Sequence, residues 1–480
     1  MRAGGLAFLL SATALTLGSQ QPAQVPLQAA AEQMIAGAGG TWAVMAWSVN
    51  SNTPLISINA NAPLIPASNN KVFTAIWALD ELGPDYRFST DMLITGPIEG
   101  GVLRGDVVLR GSGDPAFGYP PRAGFPEFGE EPMTPLRKMA QRLAAEGVRV
   151  VDGSVVGDGT VFDSTLVGPS WPNDTGAGAA QYAPRVSGLA FQRNMIWVVA
   201  GGNAPGQPLV RLDPAVDVVP LISSVRAGGG RALAVRRPDE DTIRISGSVP
   251  ARNTSRFGVG VANPALLAAG ALKEALREAG IEVRGGARLG ATPEQATLMH
   301  QHVSMPLGSM MGFLNQHSDN FYAEHLWKAA AAKAIGEGSY LLGGPASALH
   351  FIHKAEVPPG EIYQFDGSGL SNYTRLTANA MVRALVYAHG QPYSELFHKS
   401  MAIAADPNGT MNRLYRNTAA AGNLHAKTGY INRVRTLSGY VQARNGELIA
   451  FSFLYNGGNT NGARNVQEQL GVLLAEYGGA

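Results

Sequence analysis

The sequence predicts a multi-domain α/β chain of the α+β kind, in which an antiparallel sheet covered by helices is interrupted by a large inserted lobe. Three observations carry this expectation. Strand patterns lie near both ends of the chain, with helical periodicity between them. From 87 to 286 the texture changes to short β-branched runs separated by Gly and Asp. At 480 residues the chain exceeds what a single hydrophobic core usually organises. Hydrophobic residues make up 45% and charged residues 15%, too apolar for disorder. Lys+Arg number 37 against 36 Asp+Glu, so charge offers no reason to expect a nucleic-acid partner. The sequence has no cysteine, which excludes disulfides, thiolate metal sites and a cysteine nucleophile.

Taken in order, Arg2 and the apolar run 5–17, followed by Gly18 and Ser19, read as a secretory signal over 1–23. The run is too short for the roughly 20 residues of a membrane span, and no later stretch qualifies. Residues 24–36 read as a helix. Residues 42–49 and 55–58 read as a hairpin turning at Asn50-Ser51-Asn52. Pro66 precedes a helix whose apolar spacing is set by Val72, Phe73, Ile76, Trp77 and Leu79, ending near Gly83-Pro84. Residues 24–86 and 287–480 are expected to form one discontinuous domain, with 87–286 inserted as one lobe or as two nested pieces. Strands are expected at 102–109, 148–156, 243–249 and 257–261. Within the insert, the stretch around Glu146-Gly147-Val148 echoes that around Ala279-Gly280-Ile281. Each reads as a helix end, a Gly cap and a strand. Their helices are expected to start at Thr134-Pro135 and Asn263-Pro264. Helices follow at 307–328, 339–353 and 377–389, then a strand at 424–428. A hairpin of 436–444 with 447–455 turns at Asn445-Gly446, and an amphipathic helix closes at 464–477.

The chemistry starts at Ser68-Asn69-Asn70-Lys71. Ser68 in the first helical turn and Lys71 three residues on share a face. A serine hydroxyl needs a base to become a nucleophile. A lysine serves if burial and neighbours lower its pKa. Free N–H groups at a helix start can hold an oxyanion. By itself the pattern is equally a capping serine and a solvated lysine. Ser318-Asp319-Asn320 adds a second hydroxyl and a carboxamide, or else a simple helix cap by Ser318. Lys427-Thr428-Gly429 offers a carboxylate site on a strand edge, or else an edge strand ending at a glycine turn. The three occur in order S-x-x-K, S-D-N, K-T-G, the first at a helix start, the second in the helical region, the third on a late strand. That is the motif set of penicillin-binding proteins and serine β-lactamases.

The long gap from Ser68 to Ser318 resembles one group within that superfamily. This is the penicillin-binding protein 4 type of D-alanyl-D-alanine carboxypeptidase/endopeptidase, the low-molecular-mass class C penicillin-binding proteins. Further stretches are similar to that group: Leu109-Arg110-Gly111-Ser112-Gly113-Asp114-Pro115, Tyr182-Ala183-Pro184 with Ser187, Leu189 and Asn194, Asp366-Gly367-Ser368-Gly369-Leu370-Ser371, Gly409-Thr410-Met411, and His425. The resemblance implies a penicillin-binding/serine β-lactamase-like fold and a serine DD-peptidase, exported to the periplasm or cell-wall space. Such an enzyme cleaves peptidoglycan stem peptides and is acylated by β-lactams. It further implies Ser68 as nucleophile, Lys71 as base and Ser318 as proton relay. Asn320, Lys427, Thr428 and Gly429 would bind substrate, the backbone N–H groups of Ser68 and Tyr430 would form the oxyanion hole, and Ser368 and Leu370 would line a site wall. Trp171 and the residues to 174 either face the substrate or form a plain surface loop. No cofactor or metal is expected. His350 and His353 lack a third ligand, and no H-E-x-x-H, G-x-x-x-x-G-K-[ST] or G-x-S-x-G motif occurs. The alternatives are a β-lactamase or esterase on the same machinery, which would deacylate fast, and a catalytically inert wall-binding protein. Carboxypeptidase and endopeptidase action share one mechanism and are not separated by these residues.

Overall fold

The two ends of the chain meet in one sheet. In a computed structural model, six strands run in the order Thr53–Ile58, Thr41–Ser48, Leu448–Asn456, Val434–Gln442, His425–Ile431, Ala402–Ile403, each antiparallel to the next. The structure describes residues 26–119, 130–171, 182–204, 207–228, 230, 232–236, 242–250 and 254–478. The expected signal at 1–23, and 172–174 of the loop after Trp171, lie outside the described residues.

The sheet is apolar on both faces because helices cover both. Along the first strand Trp42, Val44 and Ala46 join one cluster, with Phe451, Phe453, Leu470 and Leu474. Ala43 and Met45 join the opposite one, with Leu385 and Ala450, as the two-residue period of a strand requires. Helices Leu27–Ala36 and Thr460–Ala475 pack on the first face. Ala378–His389 and Asn70–Leu82, the helix that follows Ser68, lie in the cluster of the second. The C-terminal hairpin turns through three residues rather than two. Ala443 N still donates to Glu447 O at 2.8 Å, and Gly446 takes the left-handed φ of 86° that such loops need.

The helical run expected at 307–328 is broken into Leu307–Asn315 and Asn320–Ile335. Ser318 sits in the break with a left-handed φ of 59°. The cap of the second helix is Asp319, not Ser318: its carboxylate accepts from Phe321 N at 2.9 Å and Tyr322 N at 3.3 Å. Ser318 is thereby left with its hydroxyl unspent on the helix.

The insert holds a five-stranded sheet ordered Ala287–Leu289, Val155–Asp158, Val107–Gly111, Ser89–Ile94, Thr297–Val303. The boundary expected at 286 therefore falls short, since 287–289 and 297–303 pair with strands of the insert. The strand expected at 102–109 is two short strands in different sheets, split at Arg104-Gly105-Asp106. The two echoing segments are neighbours: Val150–Val151 and Glu282–Val283 pair in parallel, each after a glycine of positive φ, Gly147 and Gly280. Asn263 caps its helix through Leu266 N, whereas Thr134 is the first helical residue after Met133. Tyr119, Phe162, Trp171, Val186 and Ala190 of the insert share one apolar cluster with Val72, Phe73 and Trp327 of the body. Among the described residues no helix is long and apolar enough to cross a membrane.

Candidate active site

Ser68 lies in the 3-10 turn Ala67–Asn69 that leads into the helix Asn70–Leu82. The turn is gripped from two sides. Pro66 O accepts from Asn69 N at 3.1 Å and from Thr436 Oγ1 at 2.7 Å. Asn69 Nδ2 donates to Ser438 Oγ on the sheet at 2.6 Å, and Asn70 Nδ2 to Asp366 O at 2.7 Å. The two asparagines between Ser68 and Lys71 therefore tie the turn to the sheet and to the 366–371 loop. Glycine is needed on both flanks. A Cβ on Gly429 would collide with Thr436 Oγ1 and come within 2.9 Å of Pro66 O. One on Gly369, at φ 79°, would collide with Ala67 O.

Lys71 is fully buried, and its ammonium has three acceptors: Ser68 Oγ at 3.0 Å, Asn320 Oδ1 at 2.6 Å and Ser368 O at 2.8 Å. Burial pulls its pKa down to about 8, against the nearby carboxyls of Glu324, Asp366 and Asp319. Lys427 is also fully buried and donates to Ser318 Oγ at 2.8 Å and to Thr428 O at 2.7 Å. Burial, and then the like charge of Lys71, lower its pKa as well. Thr428 Oγ1 donates to Thr410 Oγ1 at 2.9 Å. The serines of the two serine–lysine pairs, Ser68 and Ser318, thus border one cleft of about 670 Å³, while both lysines are fully buried. Ser68, Ser318, Asn320, Thr428 and Tyr430 line it from the body, and Tyr182 and Trp197 line it from the insert. Asn320 joins the two sides, since its Nδ2 donates to Tyr182 O at 2.7 Å.

Ser368 and Leu370 are not where a site wall was expected. Both are buried, and neither lines the cleft. The loop lies behind Lys71, where the Ser368 carbonyl holds the ammonium and the Ser368 hydroxyl accepts from Leu370 N at 3.3 Å. Trp171 is no surface residue either: it is buried, and its Nε1 donates to Asp366 Oδ2 at 2.8 Å. Asp366 also accepts from Gly369 N at 2.9 Å and Ser371 N at 2.6 Å, which folds the loop.

The family model described as the D-Ala-D-Ala carboxypeptidase 3 (S13) family matches residues 25–477. The chain belongs to that family. It is 33% identical over 438 residues to a D-alanyl-D-alanine carboxypeptidase of Actinomadura, covering 86% of this chain and 77% of that one. It is 25% identical over 431 residues to D-alanyl-D-alanine carboxypeptidase DacB of Haemophilus influenzae, covering 88% and 86%. The fold matches the crystal structure of penicillin-binding protein 4 from Haemophilus influenzae with a TM-score of 0.74, at 23% identity, over 95% of this chain and all of the other.

Two functional candidates in this S13 chain escaped the sequence. Glu324 is fully buried and accepts from Ser368 N at 2.6 Å and Gly367 N at 3.0 Å, so it holds the loop that holds Lys71. Its only sequence signal is its place one turn after Asn320 on the same helix face. Burial, and then the neighbouring Asp366 carboxyl, push its pKa up. Arg193, from the insert, also borders the cleft and pairs with Asp319. His350 binds Asp80 at 2.8 Å and lies 3.2 Å from Glu81, both on the helix Asn70–Leu82. Among the described residues no group of three or more His, Cys, Asp or Glu could hold a metal ion.

Proposed function

We propose that this chain is an exported serine DD-peptidase that cleaves the bond after the penultimate D-alanine of peptidoglycan stem peptides through an acyl-enzyme. The observation that carries the reading is the pair of buried lysines, each within 3.0 Å of a serine hydroxyl that lines one shared cleft. Neutral Lys71 takes the Ser68 proton as Oγ attacks the carbonyl. The oxyanion is held by the N–H groups of Ser68 and Tyr430. Ser318, hydrogen-bonded to Lys427, passes a proton to the departing amine, and the C–N bond breaks. Lys427, Thr428 and Thr410 offer the donors for the carboxylate of the leaving residue, and Asn320 orients both Lys71 and the acyl side. Water then attacks the ester carbon: its oxygen stays with the acyl group as the new acid, one of its protons restores the Ser318–Lys427 pair, and Ser68 Oγ leaves with the proton that Lys71 took. A β-lactam, which carries a carboxylate next to its reactive amide, enters by the same route and acylates Ser68. The catalytic domain is the discontinuous unit on either side of the inserted lobe, and the apolar run 5–17 supports export to the periplasm.

The test is incubation with purified muropeptides and weighing of the products. Loss of one alanine from pentapeptides identifies a carboxypeptidase, and monomers released from cross-linked dimers identify an endopeptidase. No change in either substrate overturns the reading.

Glu324→Gln follows from the same geometry. In its ionised form Glu324 raises the pKa of Lys71, so its removal lowers that pKa. Since the neutral amine is the reactive form, the rise of the acylation rate with pH should move to lower pH. Gln retains one acceptor for the two N–H groups of Gly367 and Ser368, so a stability loss of about 1–3 kcal/mol is expected in thermal unfolding. An unmoved or alkaline-shifted pH profile contradicts this coupling.

A further inference from the structure

Ser318 carries a non-glycine side chain in the left-handed region, a conformation that persists only where the surroundings over-determine it. The residue that follows it supplies that constraint. The Asp319 side chain is only 9% exposed at the cleft, and its carboxylate accepts four hydrogen bonds: Oδ1 takes Phe321 N, Tyr322 N and Arg193 Nη2 at 3.1 Å, and Oδ2 takes Arg193 Nη1 at 2.7 Å. Arg193 belongs to the inserted lobe. It sits in the middle of three consecutive left-handed residues, Gln192, Arg193 and Asn194, so that turn is constrained as well. The turn is closed by Phe191 N donating to Asn194 Oδ1 at 3.1 Å and by Asn194 Nδ2 donating to Arg185 O at 2.7 Å. The guanidinium also donates to Tyr119 OH at 3.1 Å and lies 5.1 Å over the Phe321 ring, the residue after Asn320. A planar two-pronged guanidinium fixes the orientation of a carboxylate, which an ammonium does not.

We propose that Arg193 is a positioning residue for acylation: from the inserted lobe it clamps Asp319, and through Asp319 it fixes the turn that aims Ser318 at Lys427 and the cleft. The lobe is then a working part of the catalytic apparatus and not an appendage, although Arg193 itself makes no bond to Ser318, Lys427 or Ser68. The proposal rests on the DD-peptidase reading of the site. Breaking one side of a buried pair leaves an unmatched charge, whereas neutralising both sides does not.

The experiment uses the full chain and benzylpenicillin, separating the acylation rate constant from the dissociation constant of the preceding complex. Arg193→Gln is expected to lower the acylation rate constant by about 100-fold or more, with a much smaller change in the dissociation constant. Arg193→Lys should recover little of the loss. The Arg193→Gln/Asp319→Asn double variant should be acylated faster than the two single losses multiplied together predict. Methylguanidinium added to Arg193→Ala should restore acylation by about tenfold or more, a gain that a generally loosened fold would not show. Wild-type acylation by a folded Arg193→Gln protein overturns the proposal. So does a loss that is multiplicative in the double variant and indifferent to methylguanidinium. Failure of wild-type protein to be acylated at all would instead overturn the DD-peptidase reading.

Discussion

Ser68→Ala should take no label from a fluorescent penicillin that labels the wild-type chain, and its turnover of stem peptides should fall by at least about four orders of magnitude. Alanine removes the hydroxyl proposed to form the ester and disturbs little else. Lys71 keeps Asn320 Oδ1 at 2.6 Å and Ser368 O at 2.8 Å as acceptors. The turn keeps the bonds made by Pro66 O, Asn69 and Asn70. The melting temperature should therefore stay close to wild type. Equal labelling of the two proteins would remove Ser68 from the nucleophile's role, and an unfolded variant would be visible as lost melting cooperativity.

Lys71→Met is expected to be nearly as severe for acylation, about a thousandfold or more, because it removes the proposed proton acceptor of the Ser68 hydroxyl. It also tests the sign of the pH dependence. A lysine with a pKa near 8 is neutral in about one molecule in ten near pH 7. Wild-type acylation should therefore climb with pH and level off above about 8, the value to which burial brings Lys71. In Lys71→Met the climb should vanish. Methionine fills most of the lysine's space, one atom shorter, but leaves Asn320 Oδ1 and the Ser368 carbonyl without their donor, so a stability loss of about 1–3 kcal/mol should accompany it. A rate profile that still rises near pH 8 in Lys71→Met would assign the base to another group, with Lys427 the first to examine.

Much of the site could be read directly because its chemistry is local. A hydroxyl and an amine three residues apart on a helix start must face the same way, and Ser68 and Lys71 do, at 3.0 Å. The hairpin around Gly446 and the closing helix were legible for the same reason: turn chemistry and periodicity act within a few residues. The breaks were harder. The split at Gln316–Asp319 falls in the polar run 315–320, but Leu314 and Phe321, seven residues apart, keep a helical phase across it and fit one helix as well as two. The end of the inserted lobe was missed because its last strands, 287–289 and 297–303, are exposed-edge sequences whose pairing partners lie far back in the chain.

The sequence by itself determined which reacting groups this protein owns, their order, and the sheet made from both ends of the chain. Only the tertiary structure decided what state those groups are in. Lys71 is an ordinary lysine until burial pulls its pKa down and Glu324 and Asp366 oppose that fall. Ser368 and Leu370 are part of a loop behind Lys71 and not a wall of the cleft. Arg193 and Asp319 are 126 residues apart, and nothing in either neighbourhood announces the other. The physical reason is one of range. Hydrogen-bonding capacity and helical phase belong to a residue and its near neighbours, whereas desolvation and charge pairing belong to whatever the fold packs around it.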